Sequence, residues 1–155
     1  MSSVPPPHTL KELGEIDQLF MRAESILGEA RNNLKVFNCD LAIRRSQEAF
    51  ELYLKSLFRF LKREYPASHD LEKQIYELSR VLGEFQIAPQ QVARLVLANA
   101  ILNLWRSSAF YGDERLKVAN LFNVQEAELA LSYAQMGQLI CNIVRTDLYR
   151  QSAAT

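Results

Sequence analysis

An apolar run, "VARLVLANAILNLW" (92–105), ends in "RSSAFYGDE" (106–114), and the polar groups in and after it have types and spacing that could do chemistry. On a helix Asn99, Asn103 and Arg106 stand at i, i+4 and i+7, hence on one face, with Ser107 and Phe110 beside them. Buried amides and a buried guanidinium must find partners, since each unpaired group costs about 1–3 kcal/mol. One reading is a structural network or a stripe facing solvent. The other is a polar pocket ending at Arg106, whose planar fork of donors suits a phosphate or a carboxylate. Ser107 and Tyr111 would add hydroxyl groups to that pocket. Gly112 can stop the helix by accepting a left-handed conformation. Asp113 and Glu114 then begin the next segment as caps or solvated acids, and two adjacent acids are thin grounds for a metal site.

Two other stretches carry candidate chemistry. "SHD" (68–70) contains His69, and His8 lies in a proline-rich tail, so His69 is the imaginable imidazole acid–base group of the ordered chain. Its plainer role, with Ser68 and Asp70, is to cap a following helix. Further upstream Glu48, Glu51 and Lys55 share a helix face, and Glu51–Lys55 is an i, i+4 pair in the favourable order. Arg59, Lys62 and Arg63 cluster towards the end of that helix, where cations favour the dipole. The alternative for these three is a nucleic-acid phosphate.

The elements that must position these groups are helices. The chain has 155 residues, 48% of them apolar, which is enough for one domain with its own core. Eighteen basic residues balance eighteen acidic ones, so no global field draws the chain to nucleic acid or acidic lipid. Any such contact has to be local. Cys39 and Cys141 lie far apart without metal-ligand spacing and read as small apolar residues in a reducing cytoplasm. Neither a metal nor a cofactor is expected. No uncharged run is long enough to span a membrane. "MSSVPPPHT" (1–9) reads as a disordered tail rather than a signal peptide, and residues 151–155 as a flexible C-terminus.

Five Gly and five Pro, three of the prolines in the tail, leave little punctuation. The first helix is predicted from about Leu10 to Leu34, with Leu13, Ile16, Phe20, Ala23, Leu27, Ala30 and Leu34 repeating at three and four. A second runs from about Leu41, capped by Asn38 or Asp40, to Glu64 and is stopped by Pro66. A shorter third spans about 70–84. Pro89 opens a fourth, apolar nearly all round and therefore expected at the centre. Asn123 with Glu126 resembles a capping box for a fifth, to about Arg150, whose stripe Ala127, Ala130, Leu131, Ala134, Gly137, Cys141, Val144 and Leu148 is mostly small. With no strand pattern and no repeat, the fold is all-α: an antiparallel up-and-down bundle of four long helices plus one shorter helix, over residues 10–150.

Three segments in this order resemble the HEPN (higher eukaryotes and prokaryotes nucleotide-binding) domain family. "SQEAFELYLKSLFRFL" (46–61) is similar to its second-helix pattern, "YPASHDL" (65–71) to its Pro-x-x-His-Asp loop, and "RSSAFYGDE" to the Arg-x-x-Ala-x-Tyr-Gly-Asp ending of small prokaryotic members. "LFNVQEAELALSYAQ" (121–135) matches the start of its last helix, and the likeness covers roughly residues 10–148. It implies a helical bundle, and one of two roles. Many members are metal-independent endoribonucleases with an Arg-x4-6-His motif assembled across a homodimer, often toxins or parts of defence systems. Others pair with a minimal nucleotidyltransferase in a toxin–antitoxin setting.

The chain keeps the arginine of that motif, Arg106, but carries Tyr111 where the shortest spacing puts the histidine. A tyrosine with a pKa near 10 is about one part in a thousand ionised at pH 7, so Tyr111 is a poor base and weak or absent RNase activity is the expectation. The implied reading is a domain that binds a nucleotide or RNA phosphate through Arg106, Asn103, Ser107, Tyr111 and Lys55. Asn99, Glu51, Asp70 and Glu114 would support them. A nucleotidyltransferase partner could also attach a nucleotide to Tyr111. The first alternative is an RNase using Arg106 with His69 or Asp113, and the second a purely structural interaction module.

Overall fold

The computed structural model describes residues 7–68, 71–111 and 122–154, and of 107–111 the backbone alone. Among the described residues six helices follow one another: α1 (Leu10–Lys35), α2 (Cys39–Phe60), α3 (Glu72–Glu77), α4 (Ser79–Gly83), α5 (Pro89–Tyr111) and α6 (Val124–Ala154). No strand occurs among the described residues. The all-α bundle of four long helices expected from the sequence is what forms. The predicted short helix is two pieces, because the Ser79 hydroxyl donates to the Tyr76 carbonyl at 2.6 Å and the Leu78 N–H turns to Ile75 at 3.0 Å. A side-chain hydroxyl that takes a helix carbonyl in this way competes with the regular ladder.

Both ends of the helices have physical causes. Thr9 and Glu12 form a capping box at α1 that sequence reading missed, with the Glu12 N–H donating to Thr9 Oγ1 at 3.1 Å. Asn123 and Glu126 form the one it foresaw, at 2.8 and 3.1 Å. Asn38 is the residue before α2, as expected, but its side chain makes no cap, and Asp40 instead accepts the Phe122 N–H at 3.1 Å. Pro89 is the first residue of α5. α6 runs to Ala154, four residues past Arg150.

α2 ends at Phe60, short of the Glu64 predicted from Pro66. Lys62 adopts a left-handed φ of 54°, its N–H returning to Arg59 and that of Arg63 to Phe58. This is the paired closure of a Schellman turn. The same pair of bonds closes α1 at Phe37 (φ 59°) and the turn after α4 at Gln86 (φ 65°). None of the three is glycine.

α2 is the central helix, and this corrects the expectation for α5. Leu97 and Leu104 of α5 are 51% and 71% exposed, and only Val92, Leu95, Ala98, Asn99 and Leu102 on that helix are buried up to residue 106. α1 and α6 occupy the flanks of α2, whose Ala42, Ile43, Ala49, Phe50, Tyr53, Leu54, Leu57, Phe58 and Phe60 are all buried. The α1 stripe faces it with Leu13, Phe20, Ala23 and Leu27, and each large apolar side chain so buried contributes about 1.5–3 kcal/mol. Small residues let α6 come close. A Cβ added to Gly137 would stand 3.1 Å from Phe50 Cδ2 and 3.5 Å from Tyr53 Cβ.

Two of the polar links that tie α1 to its neighbours are partly buried. Glu24 Oε1 accepts from the Tyr53 hydroxyl at 2.6 Å and from Gln138 Nε2 at 2.7 Å, joining α1, α2 and α6 at one atom. Arg145 grips Asp17 through two bonds, of 2.5 and 2.9 Å. Its guanidinium carbon also lies 4.8 Å from the centre of the Phe20 ring and 5.3 Å from that of Tyr149. No described helix is long and apolar enough to cross a membrane.

Candidate functional site

The polar face of α5 meets α2 in a small pocket. α5 contributes Asn99, Leu102, Asn103 and Arg106, and α2 contributes Gln47, Phe50, Glu51 and Leu54. Tyr65, from the loop after α2, and Leu71, just before α3, close its sides. The cavity is about 20 Å³, room for one water-sized group and not for a base.

Charge at its mouth is arranged around one carboxylate. Arg106 Nη1 lies 3.5 Å from Glu51 Oε2, and Lys55 Nζ lies 3.5 Å from Glu51 Oε1. All three side chains are roughly a quarter to two-fifths exposed, so the contacts hold the cations in place more than they stabilise the fold. Asn99 and Asn103 are both engaged by partners. Across the mouth, Lys55 Nζ sits 5.6 Å from the Tyr65 ring centre, and Tyr65 meets Phe58 edge-on at 5.5 Å. Burial, then the Glu51 charge, pushes the Tyr65 phenol well above its ordinary value, while Arg106 opposes the shift. Tyr65 is therefore a hydrogen-bond donor at any working pH and not a base.

Gln47 joins the two helices. Its Nε2 donates to the Leu102 carbonyl at 2.8 Å, on the turn of α5 that leads to Arg106. Its Oε1 is buried with no hydrogen-bond partner among the described residues.

The structure thus gathers Arg106, Asn99, Asn103 and Glu51 in one pocket, with Lys55 joined to them through Glu51. Ser107 and Tyr111 belong to the same helix as Arg106, but their side chains, and all of His69, Asp70, Asp113 and Glu114, lie outside the described residues. Sequence reasoning missed Gln47 and Tyr65. Gln47 had a usable signal, a long amide inside the buried stripe of α2 and four residues before Glu51. Tyr65 is in a loop without periodicity and gave none.

His8 is also placed differently from expectation. It is buried, with Nε2 2.7 Å from the Phe60 carbonyl and Nδ1 3.4 Å from Glu12, so the N-terminal segment supplies an ordered imidazole. It lines a different groove, at the end of α2, with Arg59, Lys62 and Arg63. Glu12, Glu15 and Glu64 interleave with those cations, which makes a mixed surface and not a phosphate patch.

Against known proteins, the family model described as HEPN domain matches residues 16–143. No curated protein and no solved structure matches the chain.

Proposed function

The chain belongs to the HEPN domain family, and from that premise we propose that it binds a nucleotide or RNA phosphate at the Arg106 end of the α2–α5 pocket. The family is associated with nucleotide or RNA binding and with RNase activity, and its domains commonly dimerise. The observation that carries the proposal is the Lys55–Glu51–Arg106 chain of charges at the pocket mouth. Glu51 pre-positions two cations, and together the three groups keep one net positive charge facing an incoming anion. An Arg fork can then take two phosphate oxygens at once. Tyr65 and the amides of Asn99 and Asn103 supply further donors nearby. Since the cavity holds only one water-sized group, the phosphate sits at its mouth and the base lies outside.

Calorimetric titration with a short RNA oligonucleotide and with ATP tests this. Arg106→Ala should weaken binding tenfold or more, in line with the loss of a charge-assisted bidentate contact. Absence of binding by the wild type to either ligand would remove the proposal. Ser107 and Tyr111 belong to the same proposed surface, as does a role for a second copy or a minimal nucleotidyltransferase as partner in a toxin–antitoxin or defence setting.

A ribonuclease reading draws on Leu71, which lines the pocket two residues after His69. His69 or Asp113 would then serve as the base beside Arg106. Incubating purified protein with RNA and a chelator decides it. Cleavage that disappears in Arg106→Ala makes the chain an RNase, and intact RNA with both proteins removes the ribonuclease reading.

A further inference from the structure

We infer that His8 is a pH-operated latch: its protonated imidazole fastens the N-terminal segment across the end of α2, and loss of the proton loosens that segment and the first turn of α1. The inference concerns the groove at the end of α2 and is independent of the phosphate-binding reading.

The latch follows from which atoms can give a proton. Nε2 of His8 lies 2.7 Å from the Phe60 carbonyl, and a carbonyl can only accept, so Nε2 carries a hydrogen. Nδ1 lies 3.4 Å from Glu12 Oε2, and an ionised carboxylate also only accepts. A neutral imidazole has one N–H and serves one of these partners. Its other nitrogen then sets a lone pair against a negative oxygen. The imidazolium donates to both. His8 is only 8% exposed, so water does little to relieve the mismatch of the neutral ring.

Both acceptors are tied to helix ends. The Phe60 carbonyl is among the last of α2, at the negative end of the helix dipole, where a cation is favoured. Glu12 stands in the first turn of α1. Its Oε1 already accepts from the Thr9 hydroxyl at 3.1 Å and the Thr9 N–H at 3.4 Å, which leaves Oε2 for His8. One ring thus joins the start of α1 to the end of α2 over 52 residues of chain.

The wider charges around the ring balance. Glu12 and Glu15 face the groove from α1, and Arg59, Lys62, Arg63 and Glu64 from the end of α2 and the turn after it. Three acids offset three cations, so the two direct contacts of the ring decide which form is held. Lys62 adds a second, exposed fastening, 3.5 Å from the Pro7 carbonyl and 3.9 Å from Glu12 Oε2, and contacts of that kind are weak. The latch is therefore complete in mild acid and is lost as pH rises through the range where imidazoles give up their proton, about pH 6–7.

The test is hydrogen exchange read by mass spectrometry at about pH 5.5 and about pH 8, each normalised to the unfolded chain at the same pH. Peptides from the middle of α6 serve as the reference for global opening. Relative to them, protection over residues 8–14 of the wild type should fall about tenfold between the two pH values, the scale of one charge-assisted hydrogen bond. His8→Ala should show low protection at both. Glu12→Gln keeps an amide oxygen for the Thr9 capping box and puts an N–H donor where Oε2 was, facing the neutral Nδ1. It should protect the segment at about pH 8 as well as the wild type does at about pH 5.5. Wild-type protection that does not change with pH overturns the inference. So does a pH dependence that survives in His8→Ala, or a loss at about pH 8 that Glu12→Gln fails to prevent. Should Glu12→Gln fold poorly, the wild type beside His8→Ala decides.

Discussion

Replacing Phe37 and Gln86 by glycine should stabilise the protein, and the size of the gain follows from the turns they occupy. Both residues have φ near +60° (59° and 65°) at Schellman closures. A left-handed conformation costs an ordinary L-residue about 1–2 kcal/mol. Glycine removes that cost but gives back about 0.5–1 kcal/mol, because its unfolded chain is freer. The balance is about 0.5–1 kcal/mol per site, provided the side chain does nothing else. Phe37 is 68% exposed and Gln86 is exposed, so little packing is lost. At this chain length 1 kcal/mol moves Tm by about 2–4 °C, and two changes in separate loops should nearly add. Phe37→Gly/Gln86→Gly should therefore melt about 2–8 °C above wild type. Lys62→Gly is the internal control. Lys62 Nζ lies 3.5 Å from the Pro7 carbonyl and 3.9 Å from Glu12, exposed contacts worth about 0–1 kcal/mol, so its net change should be near zero. The assay is thermal melting by circular dichroism, with urea titrations to verify an unchanged m-value. Lower melting temperatures for both single variants, Phe37→Gly and Gln86→Gly, would refute the reasoning.

Three further outcomes are expected. Arg145→Ala breaks a bidentate pair with Asp17 and removes a cation from two aromatic faces; urea unfolding should register a loss of about 2–4 kcal/mol, and a double-mutant cycle with Asp17→Ala should give clear coupling. Cys39 and Cys141 are buried, and burial raises the Cys141 thiol far above its ordinary range; neither should react with a thiol reagent at pH 8 until denaturant is added. Hydrogen bonds from the Thr9 hydroxyl, then from its backbone N–H, hold the Glu12 carboxyl below its ordinary 4.5. A lowered folded value means the contribution is complete above the unfolded pKa and is lost as pH falls through the folded one. The decline of Tm from about pH 5 to 3 should accordingly be shallower in Glu12→Gln.

The bundle was legible because apolar spacing is a direct record of which face is buried. The α1 stripe from Leu13 to Ala30 is buried as read, with Leu34 only half-buried, and the small stripe of α6 is buried except for Leu131, while Ile140 is a buried member that the reading left out. Helix ends were less legible where the stop is not glycine. Lys62 carries no sequence mark of a left-handed turn, so α2 was extended to the next proline. The rank of the helices was misjudged at α5, since an apolar helix is central only if neighbours cover it, and α1 and α6 cover α2 instead. Within the site, the spacing of Asn99, Asn103 and Arg106 foretold a shared face, and Glu51 was named as support. Gln47 and Tyr65 enter through contacts between segments far apart in the chain, which a one-dimensional pattern does not encode.

Glu24 and Asp17 are seven residues apart on α1, and their partners Gln138 and Arg145 are seven apart on α6. The apolar stripe of α1 repeats with nearly that interval, so by itself it adheres almost as well after sliding one heptad along its neighbours. Sliding in one direction would set Arg145 against Leu10. Sliding in the other would take the Glu24 carboxylate away from the Tyr53 hydroxyl and Gln138 and set Arg31 in its place, losing the one acceptor that joins three helices. Greasy contact supplies the grip, and these two acids are the notches of a ratchet that admits a single tooth.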